Sequence, residues 1–368
     1  MLNSRTEKLL PGSGIPTEPI GSIPRPPELI AAIRAAAEGL LSAADLQAMV
    51  DAAVRATLIE FEATGSPVIT DGEQPKYHNF ASYCVQGLPN FAPDGFALTF
   101  THHVRRWPRL TAGPFKYLHR ADAYLRLARK LTDLPLKQAV ISPSALSLFY
   151  PESELPGYSR SQFIDDLLQE HEAEIRACLT EGAHSVQIDF TEGRLACKID
   201  PTGALLNSFV HLNNMALDQF SEADRQRIGV HTCPGGDCDS THSADVDYAE
   251  LLPSLFELNA GNFYIALARE PERARVLALI GRYLKPYQRA FVGVIDPLNP
   301  RIETPEEVRD LVLEAARYIP LAQLGTTDDC GFSPFCDDVS TSRDTAFAKI
   351  RSRVQGTRLA DTILQNHG

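Results

Sequence analysis

No run of apolar residues in this chain approaches the roughly 18 positions needed to cross a bilayer, and the first 30 residues carry proline, glycine and charge where a signal peptide would need an apolar stretch. Basic residues are outnumbered: 35 Lys and Arg face 47 Asp and Glu, a formal charge of -12. A surface this acidic repels nucleic acid and anionic membranes, which argues against a polyanion partner. Cysteine is sparse and odd in number, seven in 368 residues, so a disulfide framework does not fit. Also missing are internal repeats, low-complexity tracts, a long linker and the glycine-rich phosphate turn of an open dinucleotide-binding sheet. These absences leave a globular chain expected to be cytoplasmic, with no nucleic-acid or membrane partner.

What is present is a regular alternation. Short apolar runs occur at Glu18 to Gly21, Pro67 to Asp71, Gln138 to Ser142, Ser185 to Asp189, Arg227 to His231, Asn262 to Ala266, Phe291 to Ile295 and Leu321 to Thr326. Each ends in a polar, Gly or Pro cluster and reads as a strand. Helix-like segments lie between them, including Pro27 to Gly65, Ser161 to Glu181, Tyr248 to Asn259, Glu270 to Leu284 and Thr304 to Tyr318. The last opens Thr-Pro-Glu-Glu, with a cap residue, proline at the first helical position and acids in the first turn. Eight strands alternating with helices are the pattern of an α/β (β/α)8 TIM barrel. The surplus length is assigned to an N-terminal arm over 1–17 and to a hairpin over Ala92 to Trp107, inserted after the second strand; 18–368 then form a single catalytic barrel.

Barrel chemistry sits at the C-terminal ends of strands, and polar residues collect there: Gly21-Ser22, Asp71-Gly72-Glu73, Ser142-Pro143-Ser144, Asp189, His231-Thr232-Cys233, Asp296 and Asp328-Asp329-Cys330. His231 and Cys233, two apart, share one face of an extended chain. Cys330, leaving the eighth strand, can reach the same mouth. One imidazole and two thiolates suit Zn2+, and three protein ligands leave a fourth position for substrate. The competing reading keeps His231 as a satisfied interior histidine and the cysteines as small apolar fillers; spacing alone does not separate the two. Cys238, with His242 four residues on, is a second thiol that can supply a ligand or simply belong to a loop, and Cys336 can line the mouth or serve the structure. Cys84, Cys178 and Cys197 have no metal donors beside them and read as inert.

At these residues the chain resembles the cobalamin-independent methionine synthase family, in its C-terminal catalytic barrel, from about Glu18 to Leu359. The matching pieces are Ile20-Gly21-Ser22-Ile23-Pro24, Asp71-Gly72-Glu73, Val186-Gln187-Ile188-Asp189, His231-Thr232-Cys233, Asp296 with Pro300-Arg301-Ile302, and Asp329-Cys330-Gly331. The resemblance, to single-barrel members, implies a zinc-dependent thiol methyl- or alkyltransferase acting on a small-molecule thiol and a methyl donor, with homocysteine to methionine the leading reaction. It implies zinc ligands at His231, Cys233 and Cys330, a substrate amino acid held by Ser22, Glu73 and Asp189, and a catalytic role for Asp296.

Two positions depart from the family. Its glutamate ligand at the end of the sixth strand is Ala266 here, so that Glu270 or Cys238 would have to complete a four-ligand site. Its proton-delivering histidine two residues after Asp296 is Leu298. A reduced folate, a methylated corrinoid and a small methyl-sulfur compound all fit as donor. Two alternatives stand beside the leading reading. One resembles epoxyalkane:coenzyme M transferases, where Arg25, Arg194 or Arg269 would meet a sulfonate; the other is a non-catalytic zinc-binding barrel, recognisable by a permanently closed site. Barrels often pair, so a homo-oligomer is compatible with the sequence.

Overall fold

The computed structural model describes residues 14–76 and 79–366. Six parallel strands form one continuous sheet in the order Leu324–Asp328, Arg289–Ile295, Asn262–Ile265, Ile228–Thr232, Ser185–Asp189, Lys137–Ile141. Two further extended segments join its edges. Thr17 bridges Thr326 in parallel, and Ile69 bridges Leu136 in parallel. Those two segments meet each other through Ile23 N donating to the Gly72 carbonyl at 3.0 Å and Thr70 Oγ1 donating to the Gly21 carbonyl at 2.8 Å. The eight staves follow the order of a (β/α)8 barrel, as the alternation predicts. Nearly every residue of the six strands is buried, because helices cover the outer face while side chains fill the interior. Of the arm expected over 1–17, residues 1–13 lie outside the described residues, and Thr17 already takes part in the sheet.

Local chemistry explains where the sequence reading needed adjustment. The long helix expected over Pro27 to Gly65 is two helices, Pro27–Ala37 and Ala43–Thr64. Gly39 turns left-handed between them, and Ser42 Oγ caps the second by accepting from Asp45 N at 3.1 Å. The eighth strand starts three residues later than expected: Leu321–Gln323 is a short 3-10 turn after Pro320, and pairing begins at Leu324. The Thr304 signal forms a complete capping box on Pro305–Ala315, with Glu307 N donating to Thr304 Oγ1 at 3.2 Å and Thr304 N donating to Glu307 Oε2 at 2.8 Å. The inserted hairpin is present after the second stave: Ala97–Thr99 pairs with Val104–Arg106, flanked by Phe91–Ala92 with Arg109–Leu110. Among the described residues no helix is long and apolar enough to cross a membrane.

The barrel interior is not purely apolar. Glu18 Oε2 accepts from Tyr264 OH at 2.6 Å and lies 3.6 Å from Lys137 Nζ, which stands over the Tyr264 ring. Arg353, from the last helix, Arg343–Asn366, is fully buried and ion-paired with Asp328. Burial pushes the Asp328 carboxyl up, and Arg353 opposes that shift. Removing one partner of a buried pair leaves an uncompensated charge, so Arg353→Met should lower the unfolding free energy by about 3 kcal/mol. Urea denaturation at neutral pH measures it, and the deficit should shrink in acid as Asp328 takes up a proton.

Candidate active site

The ends of two staves converge on one point. His231 is the penultimate residue of the strand Ile228–Thr232, Cys233 follows it, and Cys330 leaves the strand Leu324–Asp328 two residues on. The His231 nitrogen and the two Sγ atoms all lie within 4.8 Å of one another, and the two sulfurs are 3.4 Å apart. All three residues are buried. The neighbouring Cys233 thiol, then burial, hold the Cys330 thiol well above its usual range. Two thiols this close ionise together only beside a cation, and a neutral imidazole with two sulfurs is the donor set of a soft divalent metal.

Asp189 orients the histidine. Its Oδ1 lies 3.1 Å from His231 Nδ1 and accepts from Gln187 Nε2 at 2.8 Å. Burial lowers the His231 pKa, but the bond to Asp189 and its charge outweigh burial, so the net shift is upward. A carboxylate on the far ring nitrogen fixes which nitrogen faces the sulfurs. The sequence reading gave Asp189 only to substrate; this second role depends on a contact across two strands, which spacing along the chain does not display.

Asp329 supplies a further constraint the sequence reading did not single out. Its Oδ1 accepts from Leu267 N at 2.7 Å and Ala268 N at 2.8 Å, and its Oδ2 accepts from Arg269 N at 3.2 Å. Burial lifts its carboxyl to about 7 against the pull of those amides. The tie holds the end of the sixth strand so that Ala266 packs on both thiols. Ala266 therefore offers a methyl group beside the sulfurs. Neither alternative ligand joins the cluster: Glu270 Oε1 accepts from Glu272 N at 3.2 Å within its own turn, and Cys238 sits with Asp237 and Asp338. Asp237 in turn is bound by Arg105 Nε at 2.6 Å and approached by His103 Nε2 at 2.5 Å, which fastens the hairpin to the loop after the fifth strand.

Two cavities meet at the cluster. The first, of about 450 Å3, is floored by Ser22, Glu73, Asp189, His231 and Cys330 and roofed by Phe80, Leu98, Phe100 and Phe335. Ser22 lies so close to Gly331 that a β-carbon there would stand 2.0 Å from Ser22 Oγ, so the turn after Cys330 requires glycine. Glu73 is held in a left-handed backbone conformation, φ 56°, and its Oε1 lies 3.0 Å from the buried Lys76 Nζ. Burial raises the Glu73 pKa; Lys76 opposes this and Asp189 reinforces it. The second cavity, of about 630 Å3, shares Gly236 and Cys330 with the first and extends to Arg194, Tyr248, Asp296 and Leu298. Asp296 thus lies on the opposite side of Cys330 from Ser22, Glu73 and Asp189. Burial raises its carboxyl pKa, with Arg269 Nε 3.5 Å away opposing. The roof aromatics were not marked as site residues in the sequence, because they come from the hairpin and loops rather than from strand ends, and His242 was noted only beside Cys238.

Glu192 lies just beyond Asp189, where Ser142 and Ser144 both donate to its Oε1. Burial lifts its pKa from 4.5 to about 7 despite those hydroxyls. A folded-state value above the unfolded one adds stability below the unfolded pKa, and that stability is lost as pH rises through the folded pKa. Glu192→Gln escapes the loss, so between pH 4.5 and 8 its thermal stability should rise relative to the parent chain by on the order of 2 kcal/mol. A pH series of melting curves gives the comparison; parallel curves would mean that Glu192 ionises freely.

Against this geometry, the chain matches the family described as cobalamin-independent synthase, catalytic domain, over residues 15–354. A methionine synthase of Sulfurisphaera tokodaii is 26% identical over 360 residues, covering 96% of this chain and 95% of that protein. A 5-methyltetrahydropteroyltriglutamate–homocysteine methyltransferase of Nitratidesulfovibrio vulgaris is 24% identical over 323 residues, 86% of this chain but 38% of that longer protein. Among solved structures, a B12-independent methionine synthase from a Shewanella species, in complex with selenomethionine, superposes with a TM-score of 0.72 at 19% identity, covering 96% of this chain and 100% of that one. A putative vitamin-B12 independent methionine synthase from Listeria monocytogenes gives 0.70 at 20% identity, covering 94% and 98%. Those two likenesses concern the fold; with the profile match over nearly the whole chain, the protein belongs to the cobalamin-independent synthase family, through its catalytic domain.

Proposed function

We propose that this protein transfers a methyl group to the sulfur of an amino-acid thiol, homocysteine giving methionine. The observation that carries the reading is the convergence of His231, Cys233 and Cys330 at a point where Cys330 lines two cavities, the first of which carries Glu73 and Asp189. Glu73 and Asp189 suit a substrate ammonium, and Ser22 Oγ suits its carboxylate. No lysine or arginine lines that first cavity among the described residues, which disfavours a sulfonate thiol. Arg25 donates to the carbonyls of Ser333, Glu73 and Lys76 and is used up in the backbone.

The donor set fits zinc, which His231, Cys233 and Cys330 would hold. A zinc ion there would keep a substrate thiol ionised at neutral pH. The residues of the chain do the rest. Ser22, Glu73 and Asp189 fix the amino-acid end so that the sulfur lies at the partition near Cys330, while the aromatic roof excludes water. The methyl donor approaches from the second cavity. The sulfur lone pair forms the new S–C bond as the bond from methyl to donor breaks, and that electron pair leaves with the donor. Where the departing atom requires a proton, Asp296 is the acid assigned to it, one of three carboxyl groups on that cavity with Glu270 and Asp329; Leu298 has none to give. A non-catalytic barrel would need a closed ligand set, whereas an alanine, Ala266, packs beside the two cysteines and Glu270, on the wall of the second cavity, is outside the donor cluster.

The ligand assignment is checked by metal content. Cys233→Ser and Cys330→Ser should each lose most bound zinc, while Cys238→Ser and Glu270→Gln keep it; loss in Glu270→Gln would make it a fourth ligand. For the reaction, the zinc X-ray absorption spectrum should gain a sulfur neighbour on adding homocysteine, and an unchanged spectrum would reject homocysteine as acceptor. Glu73→Gln removes one charged contact, so kcat/KM for homocysteine should fall by about 10- to 100-fold with zinc content intact.

A further inference from the structure

Behind the first cavity stands a cation that touches one of its acids without lining it. Lys76 is 1% exposed. Its Nζ donates to Glu73 Oε1 at 3.0 Å and to the Ala139 carbonyl at 3.0 Å, and lies 4.6 Å from the centroid of the Tyr83 ring. Glu73 and Asp189 line the cavity, whereas Lys76 approaches Glu73 from the side of the third strand, Lys137–Ile141. The turn between the two residues is fixed at several points. Lys76 N donates to the Glu73 carbonyl at 3.1 Å, Glu73 N donates to Asp71 Oδ1 at 2.8 Å, and Arg25 Nη2 donates to the carbonyls of both Glu73 and Lys76. Among the described residues, no other cation forms an ion pair with the Glu73 carboxyl, and no hydrogen bond reaches its second oxygen, Oε2.

We infer that Lys76 is a positioning residue for the acceptor: it pairs with Oε1 of Glu73 from behind the cavity wall, so that the carboxylate meets the substrate ammonium with Oε2. This rests on the methyl-transfer reading above and adds a residue that acts on the amino-acid end without touching it. The charges around Glu73 show why a cation is required. Asp189 faces it from the fourth strand and Asp71 lies in its own turn; burial and both acids favour the neutral carboxyl, and Lys76 opposes them. Arg25 is the other cation nearby, and it spends its donors on backbone carbonyls. A neutral Glu73 would lose the charge-assisted contact with an ammonium. A cation inside the cavity would repel that ammonium, whereas Lys76 supplies its charge from outside.

The test is calorimetric titration of the full-length, zinc-loaded protein with L-methionine between about pH 6.5 and 8.5, with zinc content measured in parallel. Lys76→Met removes the charge at similar side-chain length and should weaken binding by about tenfold at the acid end. The deficit should narrow as pH rises and Glu73 ionises unaided. Lys76→Gln keeps an amide donor without the charge and should show the same pH dependence, which keeps the comparison available if the methionine variant does not fold. Adding Lys76→Met to Glu73→Gln should cost no further affinity, because a residue that acts through Glu73 has nothing left to act on. Parent-like affinity in Lys76→Met or Lys76→Gln at the acid end would overturn the inference. So would a deficit equal at every pH, or a further tenfold loss in the double variant; either would assign Lys76 to holding its turn against Ala139. Failure of L-methionine to bind the parent would reject the homocysteine reading itself, and this inference with it.

Discussion

The carboxylate of Asp329 ties together two parts of the barrel mouth that share no strand pairing. It receives three successive amides from Leu267, Ala268 and Arg269, and its chain neighbour is Cys330. The strand Arg289–Ile295 lies between, and it lets the carboxylate pass because position 293 is glycine: a β-carbon there would stand 1.8 Å from Asp329 Oδ1. With that tie in place, the end of the sixth strand, the loop of the eighth and the His231-Thr232-Cys233 segment have one mutual arrangement. Asp189 then sets the ring of His231 from the other side. The three metal-type donors are therefore held by carboxylates that are themselves engaged, which is how a site on loops acquires the rigidity of a site on strands.

The same economy governs the wall between the cavities. The first is mainly apolar above and charged below; the second has charges of both signs around its sides. An apolar roof over a charged floor strengthens each electrostatic contact beneath it by excluding water. The roof comes from outside the (β/α)8 pattern. Leu98 and Phe100 belong to the inserted hairpin, which is pinned by Arg105 to Asp237 and Asp337 and by Thr101 N donating to Ser240 Oγ at 2.9 Å. Gly235, left-handed at φ 74°, permits His242 to fold directly over it, since a side chain there would collide with the ring. Loop chemistry shapes the chamber, and strand chemistry places the donors that face it.

That division explains what was legible in the sequence. The strand ends were readable because barrel strands are short apolar runs that stop at polar clusters, and Ser185–Asp189 was located to the residue. The donor trio was readable because His231 and Cys233 share a face by the two-residue period, while the joining of Cys330 to them rested on topology. The first two staves were harder to bound, since each touches its neighbours through a single bridge. The paired roles of Asp189 and Asp329 and the aromatic roof were not readable. Each depends on a contact between segments 40 to more than 200 residues apart, which leaves no local pattern.

Ala266 gives the last step. A tetrahedral soft-metal site with four protein ligands must release one before a substrate sulfur can enter, and the released group must then be accommodated nearby. Here the position beside the two cysteines carries a methyl group, and Glu270, the acid of that loop, lines the second cavity without joining the donor cluster. Under the methyl-transfer reading, substrate sulfur enters without displacing a protein ligand. The electrostatics change with it: one imidazole and two thiolates leave the first shell electrically neutral with a divalent ion, and a substrate thiolate makes it singly negative. An added carboxylate would have made it more negative still and opposed the entry of a thiolate. The alanine therefore favours retention of an anionic sulfur at the partition.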